Sequence, residues 1–412
     1  MQCFVNLVSM PTYTKIKDTA VGSPSLQSLH IYPIKSAAGI SLSNSWVDDF
    51  GLSFDRRFVI ADANGQFITA RTEPTLCLIK VNLSEHGLVL TAPNMPALHI
   101  SYQKLSQTYK TITVWTDDIQ AQYGHKNYDL WFSQYLNRPC QLLFFGESSQ
   151  RYVSNSHKQV AFADGYPLLL ISQASLDDLN SKMSLPANQK ISMSQFRPNI
   201  VVDDCDVFAE DSWQHIRIGE VEFEVAKPCS RCIFTTINPQ NAEVHQQQEP
   251  LNTLKNYRQV PSGDVMFGQN LIALNQGSIK QGDEVVILKR QSSPIFITKP
   301  STKENKAQTV HNLTSNKEMN NMPAKKVNLD FDSWNKNFIG NTKETILEQG
   351  EAAGMLLPYS CRGGMCGRCK IKLKSGDVRQ LATDGLSDVD KEQGFVLACS
   401  SVPQSDLILA KR

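Results

Sequence analysis

The sequence predicts a multi-domain, mainly β protein that ends in a small α+β domain. Three observations indicate this fold class. The chain has 412 residues, which is more than one ordinary domain contains. Short apolar runs separated by turn residues are typical of strands over much of its length. A polar segment rich in Ser, Thr, Asn and Lys precedes the last 86 residues, and this composition is typical of a linker.

These patterns predict five segments. An irregular lead-in covers 1–25, a first β domain 26–125 and a second domain 126–288. A flexible linker covers 289–326, and the final domain covers 327–412. The second domain is expected to close as a β-barrel, because its last residues combine a turn with an apolar strand.

The first β domain has two hairpin signals after an initial strand at Leu29–Ile34. Phe58–Asp62 and Gln66–Arg71 are joined by a turn with an Asn-Gly pair, which can adopt the positive φ angles of a tight turn. A second hairpin is predicted at 78–90. The domain is therefore expected to be mostly β.

The hydrophobic period changes in the second domain. Lys126–Asn137 is predicted to be a helix whose aromatic stripe belongs to the core. Ser175 with Asp178 predicts the N-terminal cap of another helix. The remaining apolar runs are predicted strands, at Pro167–Ile171, Asn199–Asp203, Ile216–Val225 and Gly277–Leu288.

The final domain combines strands with one capped helix. Asn341 with Glu344 resembles a capping pair, and Gly354 ends the helix that follows. Ser387 is expected to cap a second, short helix. The strands are predicted at Val327–Phe331, Ile371–Leu373 and Phe395–Ala398.

Charge and composition narrow the classes of partner. The formal net charge is +1, so no overall electrostatic attraction to a nucleic acid polymer or a membrane surface is expected. We find no leader pattern near Met1 and no apolar run long enough to cross a bilayer. Six of the ten cysteines lie in motif-like clusters, and the other four are scattered as small buried residues often are. A reducing cytoplasm is the expected compartment.

Four cysteines of the final domain have the spacing of a two-iron two-sulfur site. Cys361, Cys366 and Cys369 are separated by four and then two residues, and Cys399 follows at a distance. A zinc site is the first alternative, but structural zinc prefers two close pairs of ligands. Buried thiols without a ligand role are the second alternative. The spacing favours the iron-sulfur cluster over both.

The flanking pattern and this spacing resemble the plant-type ferredoxin family over roughly the last 85 residues. The resemblance implies a β-grasp fold and makes Cys361, Cys366, Cys369 and Cys399 the cluster ligands.

A second pair, Cys229 and Cys232, is ambiguous when it is considered alone. Thioredoxin-like redox chemistry needs such a pair at the start of a helix, whereas strands surround this one. Two semi-buried thiols, half of a zinc site, or a thiolate ligand to a metal that another organic group also holds remain open.

Several further motifs follow one another in a fixed order, at Ile31–Ser36, Asp55–Phe58, Thr69–Arg71, Phe162–Pro167, Phe196–Asn199, Lys227–Cys232 and Phe267–Asn270. Their order resembles that of the MOSC family, in particular the bacterial YcbX-type members that carry a ferredoxin tail. The MOSC part is also similar to the mitochondrial amidoxime reducing component. The resemblance covers roughly 26–412 apart from the linker.

The resemblance implies a molybdenum cofactor, in which a pterin carries the metal. It makes Cys232 the protein thiolate on molybdenum and matches Asp164 to an acidic position near the metal, where a carboxyl group could relay protons. The pterin and its phosphate would be held by residues at matching motif positions, which are Lys35, Ser36, Arg56, Arg197 and Asn199. Arg57, Arg71 and Arg231 are expected to be more open to a role as surface charges. Gly165 and Tyr166 depart from the mitochondrial pattern, so no contacts are transferred to them.

The family activity implied is the reduction of small N-hydroxylated compounds, such as hydroxylaminopurines, to amines. No dinucleotide-binding glycine motif follows a strand, so an external flavoprotein reductase is the expected electron donor. Two alternatives remain: a sulfur carrier with a persulfide on Cys232, and an electron-transfer adaptor without catalysis of its own.

Overall fold

The computed structural model describes residues 23–297 and 325–411, except for 116, 155, 184, 187–188, 262, 356, 360–363, 365–366, 382 and 384. Most of the predicted lead-in and linker, together with Cys361 and Cys366, therefore lie outside the described residues. The multi-domain, mainly β fold class is confirmed. The positions of the domain boundaries stay predictions.

The N-terminal half of the fold is built from short antiparallel strands and one helix, α1 (Lys126–Leu136). Strands β1 to β11 are, in order, Ser25–Ile31, Ile40–Leu42, Asn44–Asp48, Gly51–Leu52, Phe58–Asp62, Lys80–Ser84, Gly87–Thr91, Leu98–Ser101, Tyr109–Val114, Asp117–Tyr123 and Cys140–Phe144. Four of them form a sheet in the order β5-β11-β10-β9, and β6, β7 and β8 form a second sheet. The predicted hairpin at 78–90 is confirmed as the β6–β7 pair.

Helix α1 is confirmed, and its aromatic face is buried as predicted. Tyr128, Trp131, Phe132 and Leu136 lie in one core with residues of β5, β7, β8 and β11. Because this face covers the first sheet, α1 and β11 pack with the first β domain, although the sequence pattern places them in the second.

Strands β1 and β2 belong to a different sheet from strands β5 to β11. The elements that follow are strands β12 to β18 at Leu168–Ser172, Ile200–Asp203, Trp213–Ile218, Val221–Ser230, Met266–Ala273, Gly277–Lys280 and Val285–Arg290, with helices α2 (Gln173–Lys182) and α3 (Leu251–Lys255). An eight-stranded sheet has the order β18-β14-β15-β16-β12-β13-β1-β2, and only its β12–β13 pair is parallel. A third small sheet has the order β17-β3-β4. Residues from both ends of this region therefore share one core.

The final domain is a five-stranded sheet with a helix packed on it. Its elements are strands β19 to β25 at Lys326–Phe331, Lys336–Asn341, Lys370–Ser375, Val378–Gln380, Phe395–Leu397, Ser401–Pro403 and Leu407–Ala410, and helices α4 (Ile346–Ala352) and α5 (Asp388–Glu392). The sheet order is β20-β19-β25-β21-β23, with β19 and β25 parallel. The predicted short helix after Ser387 is confirmed, because Ser387 Oγ accepts a hydrogen bond from the Asp390 amide.

Two predicted helix caps are wrong. Helix α2 is capped by Ser172, whose Oγ accepts from the Ser175 amide, while the Ser175 hydroxyl donates to buried Glu210. Helix α4 is capped by Thr345 together with Glu348. Several capping-type residues stand close together in both stretches, so sequence alone does not distinguish which one starts the helix.

The predicted 58–71 hairpin forms only in part. Its turn closes, because the Asp62 amide donates to the Gln66 carbonyl and Gly65 has a φ of +80°. Beyond the turn the second arm makes only isolated bridges, and β5 pairs with β11 instead. Strand β20, which follows a turn at Asn335 with a φ of +55°, has no counterpart in the prediction.

The first described linker residues return to the second domain. The Ile297 amide donates to the Gln259 carbonyl, and Phe296 lies 3.9 Å from the guanidinium carbon of Arg258, measured to the ring centroid. Among the residues that the structure describes, no helix is both long and apolar enough to span a bilayer.

A buried ion pair stabilises the second domain, and we expect its removal to lower the free energy of unfolding. The guanidinium of Arg258 donates two hydrogen bonds to Asp211, and both side chains are at most 4% exposed. Arg258→Ala leaves the carboxylate buried with Gln269 as its remaining side-chain donor, so we expect unfolding to become easier by about 3–5 kcal/mol. Urea denaturation followed by circular dichroism measures the change. Arg217→Ala, which alters an exposed arginine of β14, should change stability by less than about 0.5 kcal/mol. Equal effects of the two variants would contradict this prediction.

Candidate active site and cluster site

One cavity brings together residues that are far apart in sequence. The first β domain contributes the loop after β1, the turn before β5 and Arg71, and the second domain contributes three further segments and Asn270 of β16. All seven residues predicted for the molybdenum site line it, namely Lys35, Ser36, Arg56, Asp164, Arg197, Asn199 and Cys232. Their individual roles stay predictions, but their proximity is a property of the fold.

Backbone conformation is unusual around this cavity. Ser36, Arg56 and Arg197 have φ angles of +72°, +46° and +55°. Residues with a Cβ rarely adopt this left-handed region, which costs of the order of 1 kcal/mol or more at each position. The surrounding hydrogen bonds hold the loops in place: the Arg56 amide donates to the Tyr32 carbonyl, and the Lys35 amide donates to the Phe58 carbonyl.

The Tyr32 ring organises two of the arginines. The guanidinium carbons of Arg56 and Arg197 lie 4.3 and 4.0 Å from its centroid. Asp55 is the counter-ion: it accepts from the Tyr32 amide at 2.7 Å and from Arg56 Nη1 at 2.7 Å. Burial raises the pKa of the Tyr32 hydroxyl to about 12 although both guanidinium groups lower it, so the ring stays neutral.

Asn199 positions this group from inside the sheet. Its side-chain oxygen accepts from Arg56 Nη1 at 3.1 Å and from the Leu169 amide at 3.2 Å. Its amide nitrogen donates to the His30 carbonyl, and the residue is 1% exposed. Both polar ends are therefore engaged within the protein, so the contact with Arg56 is the clearest way in which Asn199 affects the cavity.

The cavity wall carries more positive than negative charge. Among the described lining residues, five are cationic, and Asp164 is the one carboxylate. Arg197 Nη2 and Arg231 Nε are buried and have no hydrogen-bond partner in the described part of the chain. Burial, together with the nearby charge of Arg56, lowers the pKa of Arg197. A bound anion with several oxygen acceptors would satisfy these groups, as the phosphate of a pterin cofactor can.

Lys35 and Asp164 form an ion pair at the side of the cavity. Lys35 Nζ lies 2.5 Å from Asp164 Oδ1 and 2.7 Å from the Phe162 carbonyl. The lysine side chain is 7% exposed, whereas that of the aspartate is 64% exposed. Burial lowers the pKa of Lys35 to about 8, although Asp164 raises it. The protein groups around Asp164 partly desolvate its carboxylate and so disfavour the charged form, but the charges of Lys35 and Arg71 outweigh this effect and hold the pKa of Asp164 below its usual range.

Arg151 holds the loop that carries Asp164. Its guanidinium donates to the carbonyls of Ala161, Ala163 and Asp164, and its Nε contacts Asp117 at 2.7 Å. The residue is 6% exposed. Arg151 has no place in the sequence prediction, because a guanidinium that binds backbone carbonyls leaves no motif.

Cys232 lies at the entrance to a 3-10 turn that follows β15. The Thr235 amide and hydroxyl both donate to its carbonyl, at 3.0 and 2.9 Å, which fixes the backbone of the thiol-bearing residue. Arg71 Nη1 is 3.8 Å from its Sγ, and the Arg71 guanidinium lies 4.1 Å from the Trp115 ring. The thiol therefore faces a positive group that an aromatic ring holds in position.

Arg57, Arg71 and Arg231, which the sequence left more open to a role as surface charges, differ in location. Arg71 and Arg231 line the cavity, and Arg231 Nη1 lies 3.1 Å from Cys229 Sγ. Arg57 is paired with Asp48 through two hydrogen bonds and does not line the cavity. The expectation of surface charge is therefore wrong for buried Arg231, which is 7% exposed.

Two of the predicted cluster ligands adjoin each other in the final domain. Cys369 and Cys399 are 1% and 6% exposed, their Sγ atoms lie 3.1 Å apart, and the Gly364 amide donates to Cys399 Sγ at 3.3 Å. Gly367 has a φ of +72°, and a Cβ there would lie 2.5 Å from the Gly385 carbonyl oxygen, so glycine is required. This close thiol pair with an inward-pointing amide suits a cluster with sulfide ligands. Cys361 and Cys366 lie outside the described residues.

Comparison with known proteins supports both sites. Residues 23–139 match the MOSC N-terminal beta barrel domain, 157–286 the MOSC domain, and 333–404 the 2Fe-2S iron-sulfur cluster binding domain. The mitochondrial amidoxime-reducing component 1 of Mus musculus is 34% identical over 280 residues, which cover 63% of this chain and 81% of that protein. The Homo sapiens counterpart is 33% identical over 280 residues, covering 63% and 82%. Component 2 of Rattus norvegicus is 34% identical over 278 residues, covering 62% and 80%.

The ion pair allows a direct test of the cavity electrostatics. Asp164→Asn removes the carboxylate that favours the charged form of Lys35, while burial of the amine remains. We therefore expect the pKa of Lys35 to fall below its value of about 8. Carbon-13 NMR titration of labelled lysine side chains in cofactor-free protein measures this change. Asp49→Asn, an exposed carboxylate elsewhere, should leave the Lys35 titration unchanged, and an unchanged or raised pKa in Asp164→Asn would contradict the prediction.

Proposed function

Because the chain belongs to the MOSC family of the mitochondrial amidoxime-reducing components and carries a 2Fe-2S domain, we propose that it is a molybdenum-dependent reductase of small N-hydroxylated compounds. The observation that carries the proposal is the single cavity that joins Cys232 to a cluster of cations. Electrons enter through the fused ferredoxin domain from an external flavoprotein reductase. The reducing cytoplasm is the proposed compartment.

Different cavity residues bind different parts of the cofactor in this proposal. Arg197, Arg56 and Lys35 supply positive charge for the phosphate, and Ser36 supplies a hydroxyl in the same loop as Lys35. Cys232 supplies the thiolate ligand, with Arg71 beside it. When bound there, the molybdenum centre supplies the two electrons that cleavage of an N–O bond requires.

The reduction of a hydroxylamine to an amine consumes two electrons and two protons and releases water. Protons must therefore reach the substrate from the protein or the solvent. The Asp164 carboxylate is open to the cavity and hydrogen-bonded to the Lys35 ammonium. We assign Lys35 as the proton source behind Asp164 and Asp164 as the relay, because a carboxylate with a lowered pKa accepts a proton only in passing.

The final domain supplies single electrons. Cys369 and Cys399, with Cys361 and Cys366, hold the cluster in this proposal, and their surroundings in the core exclude water from two of the four thiolates. A ferredoxin-type cluster carries one electron at a time. Two deliveries are therefore needed for each substrate molecule.

Metal analysis combined with turnover tests the proposal. Protein from a host that makes molybdenum cofactor should contain about one molybdenum and two irons per chain and should reduce an N-hydroxylated substrate with an artificial electron donor. Cys232→Ala should lose molybdenum and activity but keep its iron, because the cluster lies in a separate core. Cys229→Ala is the matched control and should keep both metals.

The outcomes also separate the alternatives. Iron without molybdenum in wild-type protein would overturn the reductase assignment. A persulfide on Cys232 in that protein would indicate a sulfur carrier. If the protein contains both metals but reduces no N-hydroxylated compound, the remaining interpretation is an electron-transfer adaptor.

Replacement of Asp164 tests the proton relay. Asp164→Asn should lower kcat by about 100-fold or more at unchanged molybdenum content, because proton delivery is impaired. The alkaline limb of the pH profile of kcat should move to lower pH in this variant, because the pKa of Lys35 falls when the carboxylate is absent. The pH dependence of kcat measures both effects, with Asp49→Asn as the control. Unchanged turnover and an unchanged pH profile would remove Asp164 from the mechanism.

A further inference from the structure

Among the residues that the structure describes, two polar contacts join the ferredoxin domain to the rest of the chain. Gln248 Nε2 donates to the Leu381 carbonyl at 3.2 Å. Arg138 Nη1 lies 4.0 Å from Glu344 Oε1, and the same guanidinium also contacts Asp62 and Glu73. These contacts place one defined face of the ferredoxin domain against its own chain.

On the ferredoxin side, the contact lies beside the cluster ligands. The Leu381 amide donates to the Ser400 carbonyl at 2.7 Å, and Ser400 is covalently joined to Cys399. A few residues further on, the Gly385 amide donates to the Gly364 carbonyl in the cluster-binding loop at 2.8 Å. The segment that meets Gln248 is thus bonded both to the residue after Cys399 and, through Gly385, to Gly364.

On the other side, the contact lies in the segment that follows Cys232. The Gln248 amide donates to the His245 carbonyl, and the His245 amide donates to the Thr236 carbonyl. Thr235 in turn donates to the Cys232 carbonyl at 3.0 Å. Thr235 and Thr236 are neighbours in the chain, so backbone hydrogen bonds and one peptide bond connect the docking residue to the thiol-bearing residue.

We propose that the ferredoxin domain docks in cis, with the Leu381 segment on the Gln248 segment, so that the segment next to Cys399 and the segment after Cys232 meet at one interface within one chain. The purpose of this docking rests on the proposed function. Each transfer oxidises the reduced cluster by one electron and reduces the acceptor held at Cys232 by one electron. Two transfers and two protons convert one N-hydroxylated molecule to amine and water, and the flavoprotein reductase restores the cluster.

The contact has the character of a reversible interface. Its two described contacts are polar, and the Arg138 and Glu344 side chains are 30% and 28% exposed, so solvent weakens their attraction. Residues 298–324 separate the domains, and a chain of that length can reach up to about 90 Å, so the tether alone does not select the docked face. The side-chain contacts must select it, while the covalent link keeps the effective concentration high.

Isotope-coded cross-linking tests docking in cis directly. The holoprotein with Gln247→Cys and Leu381→Cys keeps the Gln248 side chain and the Leu381 carbonyl that form the contact. It is prepared unlabelled and fully nitrogen-15 labelled, mixed in equal amounts, treated with a short bismaleimide and analysed by peptide mass spectrometry. We expect 247–381 cross-links in which both peptides carry the same label. Cross-links with mixed labels would overturn cis docking in favour of docking on a second copy. The control pair is Gln247→Cys with Ile339→Cys, because Ile339 is 71% exposed on β20. A yield no higher than that of the control would overturn the contact itself.

Electron delivery gives a second readout. Gln248→Ala should slow the reoxidation of a pre-reduced cluster by added substrate about five-fold, the size expected for one lost hydrogen bond in the docked state. Gln246→Ala, an exposed glutamine two residues away, should not change it. Turnover with a small artificial donor that bypasses the cluster should be equal in both variants. Equal reoxidation rates would overturn the role of the contact, whereas absent turnover in wild type with intact cross-linking would overturn only the proposed function.

Discussion

The concentration of like charge in the wall of one cavity is the constraint on which the rest of this structure depends. Arg56 and Arg197 share the ring of Tyr32, and the charge of Arg56 contributes to the lowered pKa of Arg197. Asp55 and Asn199 hold Arg56 from behind, and all of these residues come from strands or turns that meet only in the folded chain. An arrangement that costs stability in this way persists when it serves a bound anion.

Burial and neighbouring charge also give Lys35 and Asp164 different properties. The lysine is buried and the aspartate is open to the cavity, although 2.5 Å separates their charged atoms. Burial moves the pKa of the amine towards neutrality, and the surrounding cations keep the carboxylate ionised. A group that can release a proton therefore stands behind a group that can pass it on. Arg151 fixes this order, because it holds the carbonyls of the loop on which Asp164 lies.

Local signals predicted much of the fold, and long-range pairings account for most of what they missed. The β6–β7 hairpin and helix α1 depend on neighbouring residues, so their periods and turns are visible in the sequence. Strand β1 pairs with β13, and Ser25 opposite Asp203 has no local signature. The seven predicted cavity residues do meet, because they belong to ordered motifs. Arg71, Arg151 and Arg231 were missed or undervalued, because the sequence does not show which of many arginines turns inward.

In the proposed cis docking, the weakness of the two described polar contacts suits the number of partners that a one-electron carrier must serve. The cluster needs two encounters for every electron, one with the proposed reductase and one with the cavity that contains Cys232. A large apolar interface with either partner would slow the exchange, since dissociation becomes slower as binding becomes tighter. The hydrogen bond from Gln248 and the partly exposed ion pair at Arg138 are each weak enough to release, and the covalent tether compensates for that weakness. Fusion of the ferredoxin domain to the MOSC domain therefore allows the docked state to form often although the contact itself is weak.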